Sequence, residues 1–173
     1  LLESLTLARR IELAAMELNS TWGLAIVDQT EGATGSTAGH CWAMVERWRR
    51  TEDRHYAVAR LRWATTFFAE SGDGPGTRTC AAALAQIAAD TGQDEAMSAL
   101  SHALGETALL DGSAEQAADH FARALVLLQG LEVPFDRSET ERRAAAALAG
   151  IGRGEEAVEH LVACRHHADD AAC

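Results

Sequence analysis

Hydrophobic and polar positions along this chain follow helical spacing, and the whole pattern returns every 40 residues. Laid on itself at that offset, the sequence aligns Gly32, Gly72, Gly112 and Gly152 without a gap. Each glycine follows a stretch of helical periodicity, where a left-handed turn favours a residue without Cβ. Two columns before the glycines carry Leu24, Ala64, Leu104 and Ala144, and Val27, Phe67, Thr107 and Ala147. Behind them follow Cys41, Ala81, Phe121 and Leu161, then Met44, Leu84, Ala124 and Cys164, then Trp48, Ala88, Leu128 and Ala168. Spacings of three and four within each block put these residues on one helix face. Only Thr107 breaks the apolar columns, and its methyl group can still pack.

Each block therefore predicts two antiparallel helices around a glycine turn, the unit of a helical repeat protein. The expected helices are 54–71 with 77–91, 94–111 with 114–130, and 135–151 with 154–168. Thr51 ahead of Glu52 and Asp53, and Ser113 with Gln116, have the spacing of helix caps. Pro134 suits a helix entrance, Gly92 and Gly130 suit exits, and Gly74-Pro75-Gly76 reads as a longer turn. The first block is less regular. Residues 14–31 and 35–50 form its helices by register, with residues 1–11 left as the tail of a preceding repeat. A kink at Asn19-Ser20 is the alternative. The expectation is an all-α fold, an α-solenoid of about eight helices in antiparallel hairpins. It forms one domain over residues 1–173, with units at roughly 14–50, 51–92, 93–133 and 134–168.

Composition agrees. The 173 residues (18.5 kDa) are 47% hydrophobic and 24% charged, which suits one globular domain. Alanine, the best helix former, fills about a fifth of the chain, and proline occurs twice. All 15 basic residues are arginine, which excludes a P-loop lysine, a Schiff-base lysine and a lysine general base within these residues. A net charge of -11 and a pI near 5.0 oppose nucleic-acid binding, which needs a basic face. No leader and no long apolar run is evident, so neither a signal peptide nor a membrane span is expected. Cys41, Cys80, Cys164 and Cys173 are scattered without a CxxC, a pattern of reduced thiols in a cytoplasmic protein. The opening at Leu1, with no Met, reads as a piece of a larger protein.

Local chemistry is sparse. Glu52-Asp53-Arg54-His55 supplies one E-x-x-H, and a di-iron bundle needs two such motifs with further carboxylates. His160, Cys164 and His167 lie at i, i+4 and i+7, a weak zinc alternative, because three ligands from one helix do not easily close a tetrahedron. No G-x-S-x-G is present. Trp42, Trp48, Trp63, Phe67 and Phe68 read as core aromatics at helical spacing. No cofactor and no catalytic residue is expected.

The third unit is similar to the tetratricopeptide consensus. Leu104-Gly105 stands at the Leu-Gly pair of the first helix, and Ala117, Phe121 and Ala124 at the small, large and small positions of the second. The fourth unit repeats this more loosely with Ala145, Ala157, Leu161 and Cys164. The period of 40 instead of about 34 implies longer helices. Over residues 54–168 the phrasing resembles the helical-repeat region of large LuxR-type transcriptional activators, through RWATTFFAESGD, AAALAQIAADTGQ, HALGETALLDGSAEQAADHFARAL and VPFDRSETERRAAAALAGIGRGEEAVEHL. That resemblance implies a repeat segment between an ATP-binding signalling domain and a DNA-binding C-terminus. Neither part lies in this chain, so it would bind neither ATP nor DNA itself.

The tetratricopeptide resemblance also implies a functional face, the concave side lined by first helices. Transfer into the 40-residue register gives one column of Trp22, Arg62, His102 and Arg142, and beside it Ile26, Thr66, Glu106 and Ala146, with Glu139 one turn away. Two readings compete. Arginines in this column can hold an acidic group, strengthened by a protonated His102. Alternatively Arg62 pairs with Glu106 and Arg142 with Glu139, tying neighbouring helices together. The function expected is a non-catalytic scaffold for a protein, a peptide or an inducer, or for flanking domains of the same chain, with self-association through exposed end repeats. The competing class is a small helical enzyme or metal-binding bundle.

Overall fold

A computed structural model describes residues 1–51 and 53–171, with side chains as far as residue 167. Among these residues the chain is all-helical and has no strand. In order come α1 (Leu2–Arg10), α2 (Ala14–Thr30), α3 (Thr34–Arg47), a 3-10 turn (Trp48–Arg50), α4 (His55–Glu70) and α5 (Gly74–Thr91). Then follow α6 (Asp94–Leu110), α7 (Ala114–Leu127), α8 (Pro134–Gly150) and α9 (Gly154–Ala171). Helix α1 stands alone, and the other eight pair as the four hairpins α2–α3, α4–α5, α6–α7 and α8–α9.

One turn is used four times. Gly32, Gly72, Gly112 and Gly152 have φ of +77°, +73°, +74° and +79°. In each turn the residue after the glycine donates its N–H across six residues: Ala33 to Asp28, Asp73 to Phe68, Ser113 to Ala108 and Arg153 to Leu148, at 2.8–3.0 Å. The glycine N–H itself bonds the carbonyl three residues back, at 3.1 Å in all four. This double closure satisfies the last helical carbonyls and needs a left-handed residue at the glycine position.

Several local expectations are corrected. Gly74-Pro75-Gly76 is the first turn of α5 and not a loop, because Asp73 Oδ1 accepts the Gly76 N–H at 2.9 Å and Pro75 sits where no N–H is required. Ser113 makes no side-chain cap. Thr51 turns its hydroxyl back to the Trp48 carbonyl at 2.6 Å, closing the 3-10 turn, and at the start of α4 Asp53 Oδ1, not Thr51, accepts a free N–H, that of His55 at 3.0 Å. Helix α7 stops at Leu127, before Gly130 (φ +85°). At the N-terminus α2 runs unbroken through Asn19-Ser20, and the break falls at Ile11–Leu13, where Glu12 takes a φ of +56°.

The first helices stack as one layer, α2 on α4, α4 on α6 and α6 on α8, while α3 meets α5 in the other layer. Between the layers a core of Met44, Trp48, Leu61, Phe68, Leu84 and Ile87 serves the first half. Phe121 with Ala117, Ala144, Ala147 and Leu148 serves the second. Gly105 is needed there: a Cβ at that position would lie 2.7 Å from a Phe121 ring carbon, so α6 and α7 approach only because the side chain is absent. Burial fills the repeat columns unevenly. Val27, Leu104 and Leu161 are exposed, and the Ala168 side chain lies outside the described residues. No helix among the described residues is long and apolar enough to cross a membrane.

Candidate functional site

The first-helix layer curls far enough for α8 to reach α4 past α6, and polar side chains close that approach. Arg62 on α4, with its side chain 3% exposed, donates Nη1–H to Asp136 Oδ1 at 2.9 Å. Its Nη2 donates to the Asp136 carbonyl at 2.7 Å and to the Thr140 hydroxyl at 2.8 Å. Asp136 and Thr140 lie in the first two turns of α8, so this clamp joins the second hairpin to the fourth. Arg62 Nε is buried without a partner.

Behind the clamp sits His102 on α6, with no exposed surface. Its Nε2 faces the Glu106 carboxylate, which can only accept, so the proton is placed on Nε2, and Nδ1 is left toward the Thr140 hydroxyl at 3.2 Å and Arg62 Nη2 at 3.5 Å. Nε2 lies 3.4 Å from Glu106 Oε1 and 3.0 Å from the Thr66 hydroxyl. Burial, seconded by the Arg62 charge, holds His102 below the ordinary histidine range, so it is neutral near pH 7. Burial alone would raise the Glu106 carboxyl. Hydrogen bonds from His102 and Arg143 outweigh it and hold the group below its usual range, so Glu106 is ionised. Its counter-ion is Arg143 on α8, which grips both carboxylate oxygens.

The expected pairing is therefore half corrected. Arg62 pairs with Asp136 and not with Glu106, because Arg143 has taken Glu106. Arg142 does pair with Glu139, through Nε at 3.1 Å and Nη2 at 2.7 Å, and reaches Glu70 on α4 at 2.6 Å. Burial raises the Glu139 carboxyl and Arg142 more than compensates, leaving it below the usual range.

Beside this network an open cavity of about 180 Å³ remains among α2, α4 and α8. Gln29 closes one side, and α4 contributes Arg62, Trp63, Thr66, Phe67 and Glu70. Helix α8 contributes Phe135, Glu139 and Arg142. The Trp63 and Phe67 rings stack with centroids 6.0 Å apart and planes 10° from parallel. Of the residues expected on the concave side, Arg62, Thr66, Glu139 and Arg142 line this cavity. His102 and Glu106 lie buried behind it, so His102 cannot act as the protonated anchor that the arginine column suggested. Trp22 stands elsewhere, packed on the core beneath the Arg60 guanidinium, 4.9 Å from its ring centroid.

No protein-family model matches this chain, and no curated protein does either. The geometry therefore stands on its own. Residues that the sequence reading missed are Asp136, Thr140 and Arg143 in the network, and Gln29, Glu70 and Phe135 at the cavity. Trp63 and Phe67 pack as read, Phe67 in the core and Trp63 against it, and both also line the cavity. Asp136 carried a usable signal: its 40-residue column reads Met16, Tyr56 and Ala96, so it is the one charge in that column.

The zinc alternative is not supported. Among the described residues no group of three or more His, Cys, Asp or Glu could hold a metal. His160 is drawn to Glu141 on α8, and the Cys164 thiol lies 3.3 Å from the Ser138 hydroxyl. Of the E-x-x-H residues, Glu52 lies outside the described residues, and His55 pairs with Glu95 at 3.1 Å. Cys41 and Cys80 are fully buried, and burial pushes the Cys80 thiol up to about 12 and Cys41 further still, which leaves both as unreactive core residues.

Proposed function

We propose that the chain is a non-catalytic, tetratricopeptide-like scaffold that holds a protein, peptide or inducer on its concave side. The cavity among α2, α4 and α8 carries this reading. It opens on the first-helix face, where stacked hairpins present their binding surface, beside the Arg62–Asp136 and Arg143–Glu106 pairs that tie α8 to α4 and α6. Phe135 is 57% exposed at its rim, an aromatic group free to be covered by a partner. A catalytic role for the His102–Glu106 pair is disfavoured, since neither side chain has surface to offer a substrate.

The resemblance of residues 54–168 to the helical repeats of LuxR-type activators supports a role in signal relay within a cytoplasmic transcriptional regulator. In that role the Arg62–Asp136 clamp links occupancy of the concave face to the packing of the hairpins. Selection of a random displayed-peptide library on the whole chain tests the scaffold reading. Enrichment of a sequence family whose binding falls on Phe135→Ala is expected. No enrichment, or binding indifferent to Phe135, would overturn it.

A further inference from the structure

The cavity has a chemical preference, and it is opposite in sign to the one the arginine column suggested. We propose that it receives an organic cation, a guanidinium or alkylammonium group on a short apolar stem. This rests on the concave-face reading above and names the partner's chemistry.

Three observations carry it. First, the arginines at the cavity are already neutralised. Arg62 is held by Asp136 and Thr140, and Arg142 by Glu139 and Glu70. An incoming carboxylate would compete with those bonds for every donor but the unpartnered Arg62 Nε, and would meet a local excess of like charge. Arg62, Arg142 and Arg143 stand against Glu70, Glu106, Asp136 and Glu139, in a chain of net charge -11. Second, the wall is aromatic. The half-buried Trp63 ring, stacked on the buried Phe67, lines the cavity together with the exposed Phe135, and aromatic rings attract guanidinium and ammonium ions. Third, the carboxylates show which group they fit and leave one acceptor spare. The Arg142 guanidinium lies between Glu70 and Glu139 at 2.6 and 2.7 Å, at the mouth of the cavity. Both contacts to Glu70 use Oε1, and its Oε2 accepts no hydrogen bond among the described residues. Arg142 is thus the chain's own occupant of a guanidinium position, and a second cation can share Glu70 or displace Arg142.

The test titrates the full chain with four probes by calorimetry. They are agmatine, Ac-Ala-Arg-Ala-NH2, the same peptide with citrulline, and Ac-Ala-Glu-Ala-NH2. The arginine peptide should bind at least about fivefold more tightly than its neutral citrulline counterpart, the worth of one partly screened charge contact. Glu70→Gln should weaken it about fivefold, and Arg142→Gln, which frees both carboxylates, should tighten it by a similar factor. Glu139→Gln repeats the test should Glu70→Gln fold poorly. Binding of agmatine as tight as that of the arginine peptide supports a free small cation, and binding of the peptide alone supports a basic side chain of a partner. Tighter binding of the glutamate peptide, equal binding of citrulline and arginine, or weaker arginine binding in Arg142→Gln overturns the inference. If all four probes fail while the library yields a Phe135-dependent binder, the cation falls and the scaffold stands; if the library fails too, both fall.

Discussion

Removing the Asp136 carboxylate should cost more stability than removing it together with the arginine it neutralises. The carboxylate lies 2.9 Å from a guanidinium whose side chain is 3% exposed. Deleting one partner of a buried ion pair costs about 3–5 kcal/mol, because the other charge stays buried and uncompensated. Arg62 would keep the backbone carbonyl of residue 136 and the Thr140 hydroxyl, at 2.7 and 2.8 Å. Two remaining acceptors hold the loss in Asp136→Ala to the lower end, about 3 kcal/mol. Arg62→Met is milder. Asp136 is 12% exposed in its side chain and sits in the first turn of α8, where the positive end of the helix supports a carboxylate. That variant should lose about 1–2 kcal/mol. In the double variant no charge is left stranded, so it should be more stable than Asp136→Ala alone. Urea unfolding followed by far-UV circular dichroism, at comparable m-values, reads all four chains. Additive losses, or an Asp136→Ala cost under about 0.5 kcal/mol, would refute the clamp as a buried, coupled pair.

Other outcomes follow from the same geometry. Gly105→Ala should destabilise by about 1–3 kcal/mol despite the better helix propensity of alanine, because the new Cβ meets the Phe121 ring at 2.7 Å. Gly39→Ala in α3, with nothing within 4 Å, should stabilise slightly, and equal effects at the two sites in urea unfolding would contradict this packing. His102 is held neutral when folded but takes a proton near pH 6.5 when unfolded, so stability present above that pH should be lost as the pH falls, by up to about 1.4 kcal/mol per unit. Glu106, depressed by its hydrogen bonds, adds to the loss only as the pH falls below about 4.3. His102→Asn should flatten the dependence between pH 7 and 5.5, and an unchanged slope would count against a buried neutral histidine. Val158, Leu161 and Val162 form an exposed apolar stripe on α9, so sedimentation velocity should show concentration-dependent association that Leu161→Glu abolishes, and a strict monomer would contradict it.

The repeat was legible because each turn obeys a local rule. Four glycines at one spacing mean four left-handed turns, and residues three and four apart mean helix faces, whatever the hairpins pack against. Helix ends were less legible where partners are not local. Ser113 has a cap's spacing and makes no cap bond, whereas Asp73 caps α5 across Gly74-Pro75-Gly76, a stretch whose composition favours a turn. The concave column, carried over from the tetratricopeptide resemblance, found Arg62, Thr66, Glu139 and Arg142 at the cavity but also named Trp22, His102 and Glu106, which are not there. It could not show that α8 reaches α4 past α6, since that depends on how the layer curls. The pairing of Arg62 with Asp136 spans 74 residues, and the claim of Arg143 on Glu106 displaces the nearer-looking choice.

The central proposal is a cationic partner at the cavity lined by Trp63 and Phe67. It is tested most directly by following the indole N–H signals of the four tryptophans in the 15N-labelled chain while Ac-Ala-Arg-Ala-NH2 is added. Trp63 lines the cavity, whereas Trp48 is fully buried in the core. The account predicts a saturable shift of the Trp63 signal, absent with the citrulline peptide, while Trp48 stays in place. No shift at Trp63, or the same shift with both peptides, would contradict it.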